Sequence, residues 1–355
     1  MHCIEGSEMS ENNNKMDKKK VLLTGGAGYI GSHVAVELIE SDYDIVIADN
    51  LSNSSAASLA GIREISGKGF SFYNIDICDE ELLADLFERE QVDLVIHLAG
   101  YKAVGEAVKS PLKYYRNNIA STVALLEVMQ KCNVRKIILS SSANVYGESR
   151  ILPVTEDCEA GKCTNPYGRT KWMQEEMLRD MFTADNRWNV VMLRYFNPAG
   201  AHPSGLIGER YGDTPSNLMP SLALAASGDI PSFRVLGGIY NTQDGTGIRD
   251  YIHITDLAIG HVKAVDKLYS KPNIYMYNLG TGHGYSVLET IKAFEKASGK
   301  EIPYKIEEAR DGDIAEMYAS CEKAKEELGW SAKYGLEEIC ESAWKWHKYY
   351  KNVSK

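Results

Sequence analysis

The feature that most constrains the fold is a short apolar strand that runs into a glycine-rich turn and then into a helical pattern. Val21–Thr24 is the strand, the turn carries Gly25, Gly28 and Gly31, and an amphipathic pattern extends from Tyr29 to Glu40. Glycine lets a backbone turn tightly and approach a pyrophosphate closely. The helix that follows directs its free N–H groups toward the anion. The stretch therefore predicts the dinucleotide-binding turn of a parallel α/β fold.

The first half of the chain continues this alternation of short strands and helices. Further strands are predicted at Ile45–Asp49, Ser71–Ile75, Leu94–Ala99, Lys136–Ser140 and Val190–Arg194, and helices at Glu80–Glu90, Asn117–Lys131 and Tyr167–Thr183. This order is typical of a doubly wound, Rossmann-type parallel sheet. After Phe196, prolines and glycines interrupt the pattern, which indicates a smaller C-terminal α/β lobe that closes over a ligand. The predicted division is a disordered tail at 1–19, a dinucleotide-binding domain at 20–195 and a substrate lobe at 196–355, from which some segments return to the first domain.

Charge and cysteine content narrow the classes of partner. The net charge of the 355 residues is −10, whereas a nucleic-acid or anionic-membrane surface needs a basic face. No apolar run approaches the ~20 residues that span a bilayer, and the polar tail lacks the apolar core of a signal peptide. The seven cysteines are odd in number and lack metal-site spacing. We therefore expect reduced thiols, a cytoplasmic location and no metal site.

Asp49 indicates which dinucleotide is bound. It ends the second predicted strand, about 20 residues past the glycines, where a carboxylate hydrogen-bonds a ribose 2′-hydroxyl and repels a 2′-phosphate. This placement favours NAD over NADP. The alternative is a turn-capping aspartate before Asn50.

Tyr167 and Lys171 are candidate catalytic residues. Asn165 and Pro166 suit the N-cap and first turn of a helix, which puts Tyr167 and Lys171 one turn apart on one face. A phenol has a pKa of about 10, and a nearby ammonium lowers it, so the pair is suited to proton transfer. The alternative is a tyrosine and a lysine on a solvated helix face.

A serine run ends the fifth predicted strand, on the side where parallel sheets bind ligands. Of Ser140, Ser141 and Ser142, the last is the candidate to hydrogen-bond the oxygen whose proton is removed. Ser140 and Ser141 are interpreted as structural, since serine runs are common in turns.

The spacing Gly25-x-x-Gly28-x-x-Gly31 resembles the extended branch of the short-chain dehydrogenase/reductase superfamily. Residues 194–205, 216–220, 244–253 and 277–282 are similar to the UDP-hexose 4-epimerases of that superfamily, and the likeness runs from Val21 to Trp346. Related sugar-nucleotide dehydratases carry an acidic pair where this chain has Ala143 and Asn144. The resemblance therefore favours a reaction that removes and returns hydrogen at one sugar carbon.

The resemblance implies an isomerase that interconverts UDP-galactose and UDP-glucose by transient oxidation at the sugar C4, using tightly bound NAD. Tyr167 would be the acid/base, Ser142 would share its hydrogen bond with the sugar hydroxyl, and Lys171 would hold the nicotinamide ribose. The positions that match cofactor contacts are Gly25, Gly28, Tyr29, Ile30, Gly31, Asp49, Asn50, Asn53, Asp76, Ile77, Leu98, Ala99, Lys102, Asn117 and Tyr195. Those that match UDP contacts are Asn197, Asn217, Leu218, Leu236, Arg249, Arg310 and Asp313.

Several alternatives stay open. Arg249 and Arg310 each precede an aspartate, so ordinary ion pairs would also account for them. Met317 lies where the family limits the size of the C2 substituent, and an enzyme acting also or mainly on UDP-N-acetylhexosamines is the alternative function. A non-catalytic NAD-binding sensor is a second alternative. Asn144 and Leu98 depart from the family's usual Thr and Phe, with small effects expected. The resemblance also implies a homodimer through the helices of residues 117–131 and 167–183.

Overall fold

The computed structural model describes residues 18–149, 151–211, 215, 217–309 and 313–353. Of the predicted tail, only Lys18 and Lys19 are among these residues. The elements of the first half are β1 (Lys20–Thr24), α1 (Tyr29–Glu40), β2 (Asp44–Ala48), α2 (Ala56–Ser66), β3 (Ser71–Tyr73), α3 (Glu80–Glu90), β4 (Leu94–His97), α4 (Val104–Lys109), α5 (Pro111–Tyr114), α6 (Ala120–Lys131), β5 (Lys136–Ser142), α7 (Pro166–Ala184) and β6 (Asn189–Tyr195). A π-helical turn (Tyr115–Ile119) precedes α6, and a 3₁₀ turn (Ala143–Tyr146) follows β5.

The second half mixes short strands with longer helices. Its elements are β7 (Asn197–Ala199), α8 (Leu218–Ser227), β8 (Phe233–Leu236), β9 (Ile248–Arg249), β10 (Tyr251–His253), α9 (Ile254–Lys267), β11 (Ile274–Leu279), β12 (Tyr285–Ser286), α10 (Val287–Ser298), β13 (Tyr304–Glu307), β14 (Glu316–Met317), α11 (Glu322–Leu328) and α12 (Leu336–Val353). No helix of the described ranges combines the length and apolarity needed to cross a membrane.

The main sheet has seven parallel strands in the order β3-β2-β1-β4-β5-β6-β11. Successive side chains of β1 alternate between two cores: Val21 and Leu23 face one layer, and Leu22 faces the other. The first core packs against α1 and α9, and the second against α3, α6 and α7. This arrangement confirms the predicted doubly wound parallel fold. The strand order reverses between β1 and β4, and a ligand crevice is expected outside the carboxyl ends at that point.

A smaller lobe is built around its own apolar cluster. Helices α8, α10 and α12 supply most of that cluster, with Phe294 and Ile339 fully buried. After β6 the chain enters the smaller lobe. It then returns to the main sheet, where α9 packs on one face and β11 adds the last strand, before it enters the smaller lobe again. Strand β11 pairs with β6 over its whole length. The predicted division at residue 195 therefore separates six strands of the main sheet from the seventh.

Three helices of the first half are absent from the sequence-based prediction. They are α2, α4 and α5, which are short or bury few side chains; α2 buries only Leu59, Gly61 and Ile62. The helix predicted at Asn117–Lys131 begins instead with the π turn. Such turns are frequent at functional sites, and this one places Asn117 on the wall of a cleft while Asn118 is fully buried.

Candidate active site

A cleft of about 460 Å³ lies outside the carboxyl ends of β1, β4 and β5, with walls from both lobes. Its floor is the glycine turn. Gly25 has φ +71°, and a Cβ there would lie 2.8 Å from Ala99 Cα. A Cβ on Gly31 would lie 2.3 Å from the carbonyl oxygen of Gly25. Only glycine fits either position, so the backbone forms the open cradle that a pyrophosphate requires.

The predicted cofactor contacts converge on this cleft. Fourteen of the fifteen line it: Gly25, Gly28, Tyr29, Ile30, Gly31, Asp49, Asn50, Asn53, Asp76, Ile77, Leu98, Ala99, Lys102 and Asn117. Tyr195 does not. It is buried behind the cleft at the end of β6, where its hydroxyl is hydrogen-bonded to His261 Nε2 at 2.5 Å.

Asp49 combines both interpretations of its role. Its carboxylate accepts hydrogen bonds from the backbone N–H of Ala27 at 3.0 Å and of Leu51 at 2.9 Å, and from Ser54 Oγ at 2.7 Å. The bond to Leu51 is the turn cap of the alternative interpretation. The bond to Ala27 ties the carboxylate to the glycine turn. Asp49 is thus an anion fixed on the cleft wall, which suits a ribose diol and disfavours a 2′-phosphate.

The candidate catalytic residues meet where β5 and α7 approach each other. Asn165 caps α7, because its Oδ1 accepts from Gly168 N–H at 2.8 Å, as predicted. The first two turns of α7 carry Tyr167 and Lys171, and β5 ends at Ser142. Burial raises the pKa of Tyr167 to about 12, and the hydrogen bond from Ser142 opposes that rise. The lowering by Lys171 stays a prediction, and in this structure Ser142 is the group that opposes the rise.

Lys171 is almost fully buried, with 4% of its surface exposed. Burial lowers its pKa to about 8, and the carboxylate of Glu175, one turn further along α7, raises it. Glu175 itself forms a buried ion pair with Arg194, with Nη2 and Oε2 2.6 Å apart, and accepts from Ser141 Oγ at 2.5 Å. Ser141 is therefore structural, as interpreted, whereas Ser140 lies on the cleft wall.

Sequence reasoning missed a second group of buried polar residues beneath α7. His97 ends β4 and is hydrogen-bonded through Nδ1 to Thr24 Oγ1 at 2.8 Å and through Nε2 to Thr122 Oγ1 at 2.9 Å. Gln174 donates to Thr122 Oγ1 at 2.6 Å, and Asn118 donates to Thr170 Oγ1 at 3.0 Å. Burial lowers the pKa of His97 to about 3, so it is neutral at pH 7. No local motif marks this network, because its members meet only in the folded chain.

Glu209 was also missed, and it connects the two lobes across the cleft. Its Oε1 lies 2.8 Å from Lys102 Nζ and 2.5 Å from Asn217 Nδ2. Lys102 is a predicted cofactor contact and Asn217 a predicted UDP contact. The indole Nε1 of Trp346 donates to the carbonyl oxygen of Glu209 at 2.7 Å, which fixes the backbone of that segment to α12.

The structure brings the other predicted UDP contacts to the smaller lobe. Arg249 is partly buried and donates through Nη2 to the carbonyl oxygen of Ile314 at 2.7 Å. It forms no ion pair with Asp250, whose carboxylate accepts instead from the N–H groups of Thr281, Gly282 and Ala319. Met317 is buried opposite Arg249, where β14 pairs with β9. Asn197, Leu218, Leu236 and Asp313 lie at the ends of elements or in loops of this lobe, while Arg310 is outside the described residues.

Comparisons with known proteins agree with this geometry. The profile of the NAD dependent epimerase/dehydratase family matches residues 21–280. The UDP-glucose 4-epimerase of Bacillus subtilis (strain 168) is 56% identical over 326 residues, which cover 92% of this chain and 96% of that protein. The human UDP-glucose 4-epimerase is 50% identical, with 93% and 97% covered. The crystal structure of the Bifidobacterium longum UDP-glucose 4-epimerase in complex with NAD+ and UDP superposes with a TM-score of 0.91 at 50% identity, covering 94% of this chain and 99% of that one.

Proposed function

The chain belongs to the NAD-dependent epimerase/dehydratase family, and from that premise we propose that it interconverts UDP-galactose and UDP-glucose by inverting the sugar C4. The observation that carries this proposal is the meeting of Ser142, Tyr167 and Lys171 beside a cleft whose glycine cradle fits a dinucleotide. A non-catalytic sensor would need the cradle and Asp49 but would have no use for these three side chains.

The cleft residues divide the work of holding the cofactor. The turn at Gly25–Gly31 would receive the pyrophosphate, Asp49 would hold the adenosine ribose, and Lys171 would hold the nicotinamide ribose. Bound NAD supplies reversible oxidation at the sugar C4.

Tyr167 takes the proton from the sugar 4-hydroxyl and returns it to the same oxygen. Ser142 stabilises the phenolate form by donating to its oxygen, and the ammonium of Lys171 lies on the same helix face one turn away. Ala143 and Asn144 provide no carboxyl group next to Ser142, so the site has no acid or base there to eliminate water from the sugar. The hydrogen removed from C4 is then returned to the opposite face of the same carbon, which inverts its configuration.

The UDP moiety is held by the smaller lobe. Arg249 suits a diphosphate because its guanidinium can make paired, charge-assisted hydrogen bonds to phosphate oxygens. Asn197 begins β7, and Asn217 precedes α8 and donates to the Glu209 carboxylate. These contacts leave the hexose free to turn about its link to the diphosphate.

The test is to incubate the purified protein with UDP-galactose and resolve the products by chromatography. We expect equilibration with UDP-glucose, and no turnover by Tyr167→Phe, whose ring fills the same space without a proton to exchange. Failure of the wild-type protein to form UDP-glucose would remove the proposal. A parallel reaction with UDP-N-acetylglucosamine examines the alternative substrate class, which the relatives named above do not favour.

We further propose that the protein works as a homodimer through the faces of α6 and α7. Each helix exposes a large apolar side chain, Val123 with 41% and Met173 with 44% of its surface accessible. A second copy of the chain would cover both. Sedimentation should give a dimer for the wild type and a monomer for the double variant Val123→Asp and Met173→Glu. The control Ile239→Glu should stay a dimer, because Ile239 is 96% exposed in the loop after β8, outside both helices. A monomeric wild-type protein would contradict the dimer.

A cytoplasmic location completes the proposal. The six cysteines of the described residues are free thiols, which suits a reducing compartment. Fractionation of cells that produce the protein tests this location, and recovery outside the cytoplasm would refute it.

A further inference from the structure

Two donors from one residue hold the hydroxyl oxygen of Ser142. The backbone N–H of Asn144 lies 3.2 Å from Ser142 Oγ, and the side-chain Nδ2 of Asn144 lies 3.0 Å from the same atom. A serine oxygen has two acceptor positions and one O–H to donate. Because Asn144 occupies both acceptor positions, the O–H of Ser142 is left to act as a donor.

The orientation of the Asn144 amide follows from a backbone group that can only donate. Gly168 N–H donates to Asn165 Oδ1 at 2.8 Å, so the NH₂ of Asn165 points the other way. That NH₂ donates to Asn144 Oδ1 at 3.1 Å, which turns the NH₂ of Asn144 toward Ser142. A flip of either amide would set two donors or two acceptors face to face.

The series of donors begins at Gly168 and leads back to Tyr167, the preceding residue of α7. The side chain of Ser142 lowers the pKa of the Tyr167 phenol, and Tyr167 directly precedes Gly168 on α7. Three hydrogen bonds thus run in one direction, from Gly168 N–H through Asn165 and Asn144 to Ser142 Oγ, and they leave the Ser142 O–H free to donate to Tyr167. Nothing in the amino-acid sequence indicates this series, since Asn144 and Asn165 lie 21 positions apart.

We propose that Asn144 is a positioning residue that fixes Ser142 as a permanent hydrogen-bond donor to Tyr167. A donor stabilises the phenolate, which is the form that takes the proton from the sugar. The inference rests on the proposed epimerase reaction, and it gives Asn144 a larger effect than the small one expected from the sequence. The other titratable groups around Tyr167 are Lys171, Tyr195 and Tyr114.

The main test compares Asn144→Ala with Asn144→Asp. Alanine keeps the backbone N–H and the Cβ but removes the side-chain donor. Aspartate has the shape of asparagine but offers only acceptors, so it draws the Ser142 O–H away from Tyr167. We expect kcat at pH 7 to fall about tenfold in Asn144→Ala, as for the loss of one hydrogen bond, and further in Asn144→Asp, with KM changed less than about twofold. The rising limb of the kcat profile should move about one unit to higher pH.

The matched control is Asn186→Asp, the same chemical change at an exposed position just beyond the other end of α7. It should leave kcat and its pH profile unchanged. If Asn144→Ala cannot be recovered folded, Asn165→Asp replaces it. That variant keeps the acceptor for Gly168 N–H but cannot donate to Asn144, and it should shift the profile in the same direction.

A second readout does not depend on turnover. In protein labelled with [ζ-¹³C]tyrosine, the Tyr167 resonance is assigned by its disappearance in Tyr167→Phe, and its position reports the hydrogen bond to the phenol oxygen. It should move in Asn144→Ala and stay in place in Asn186→Asp. An unmoved resonance, or a wild-type pH profile in Asn144→Ala, overturns the role of Asn144. If the wild-type protein does not equilibrate UDP-galactose, the proposed function fails and the resonance alone decides the role of Asn144.

Discussion

Breaking the ion pair between Glu175 and Arg194 should cost more stability than breaking any exposed pair of similar length. Arg194 Nη2 lies 2.6 Å from Glu175 Oε2 and Nε lies 2.9 Å from Oε1, with at most 1% of either side chain exposed. Two charge-assisted hydrogen bonds of about 1.5–3 kcal/mol each amount to about 3–6 kcal/mol. A charge left unpaired in the interior costs about 3–5 kcal/mol, so the two routes agree on the size of the loss.

The assay is a double-mutant cycle on the free energy of unfolding, measured by denaturant titration after the dinucleotide has been removed. Glu175→Leu and Arg194→Met should each lose about 3–5 kcal/mol, whereas the double variant should lose much less than the sum, because neither member of the ion pair is left without its partner. The control Glu337→Leu breaks the exposed Lys296 pair, also 2.6 Å long, and should cost less than about 1 kcal/mol. Additive losses in the double variant, or single losses as small as that of the control, would refute the reasoning.

Three further outcomes follow from the site. Activity should decline as the pH rises through about 8, where buried Lys171 loses its proton, and a pH profile of kcat/KM that stays flat to pH 9.5 would contradict this. The same lowered pKa means that burial of charged Lys171 destabilises the folded state fully below about pH 8 and no longer does so above the unfolded pKa of 10.5. The free energy of unfolding should therefore rise between these pH values more in the wild type than in Lys171→Met, as denaturant titrations would measure. Gly31→Ala should abolish retention of NAD during purification, since its Cβ would lie 2.3 Å from Gly25 O, whereas Gly69→Ala, with no atom within 4 Å, should retain it by absorbance of the denatured protein.

The elements predicted best from the sequence are those whose limits are local. Helices α1 and α3 begin and end at the predicted residues, and α7 extends one residue beyond the prediction at each end. Side-chain caps define the starts of α3 and α7, where Asp79 accepts from Leu82 N–H and Asn165 accepts from Gly168 N–H, whereas α1 starts at the glycine turn without one. Strand β11 has an ordinary strand sequence, but its place beside β6 depends on a pairing with residues more than 80 positions away.

The same distinction applies to the site. The glycine turn, Asp49 and the Tyr167 helix carry their geometry in neighbouring residues, so the sequence predicts them. Glu209, His97 and the Glu175–Arg194 pair acquire their roles only from contacts between distant segments, and no spacing announces them. The direction of the Ser142 hydrogen bond belongs to this second class, because it is fixed by two amides on separate elements.

Helix α7 joins these observations into one physical problem, which is how to keep a cation and an ionisable phenol in a buried place. Burial favours the neutral form of both, since it lowers the pKa of Lys171 and raises that of Tyr167. The chain opposes each effect with a different group: Glu175 favours the ammonium, and Ser142 favours the phenolate. Glu175 is held by two hydrogen bonds from Arg194, and Ser142 is held as a donor by Asn144. The reactive pair therefore depends on two further residues that do not touch it, so loss of Arg194 and loss of Asn144 should affect different members of the pair.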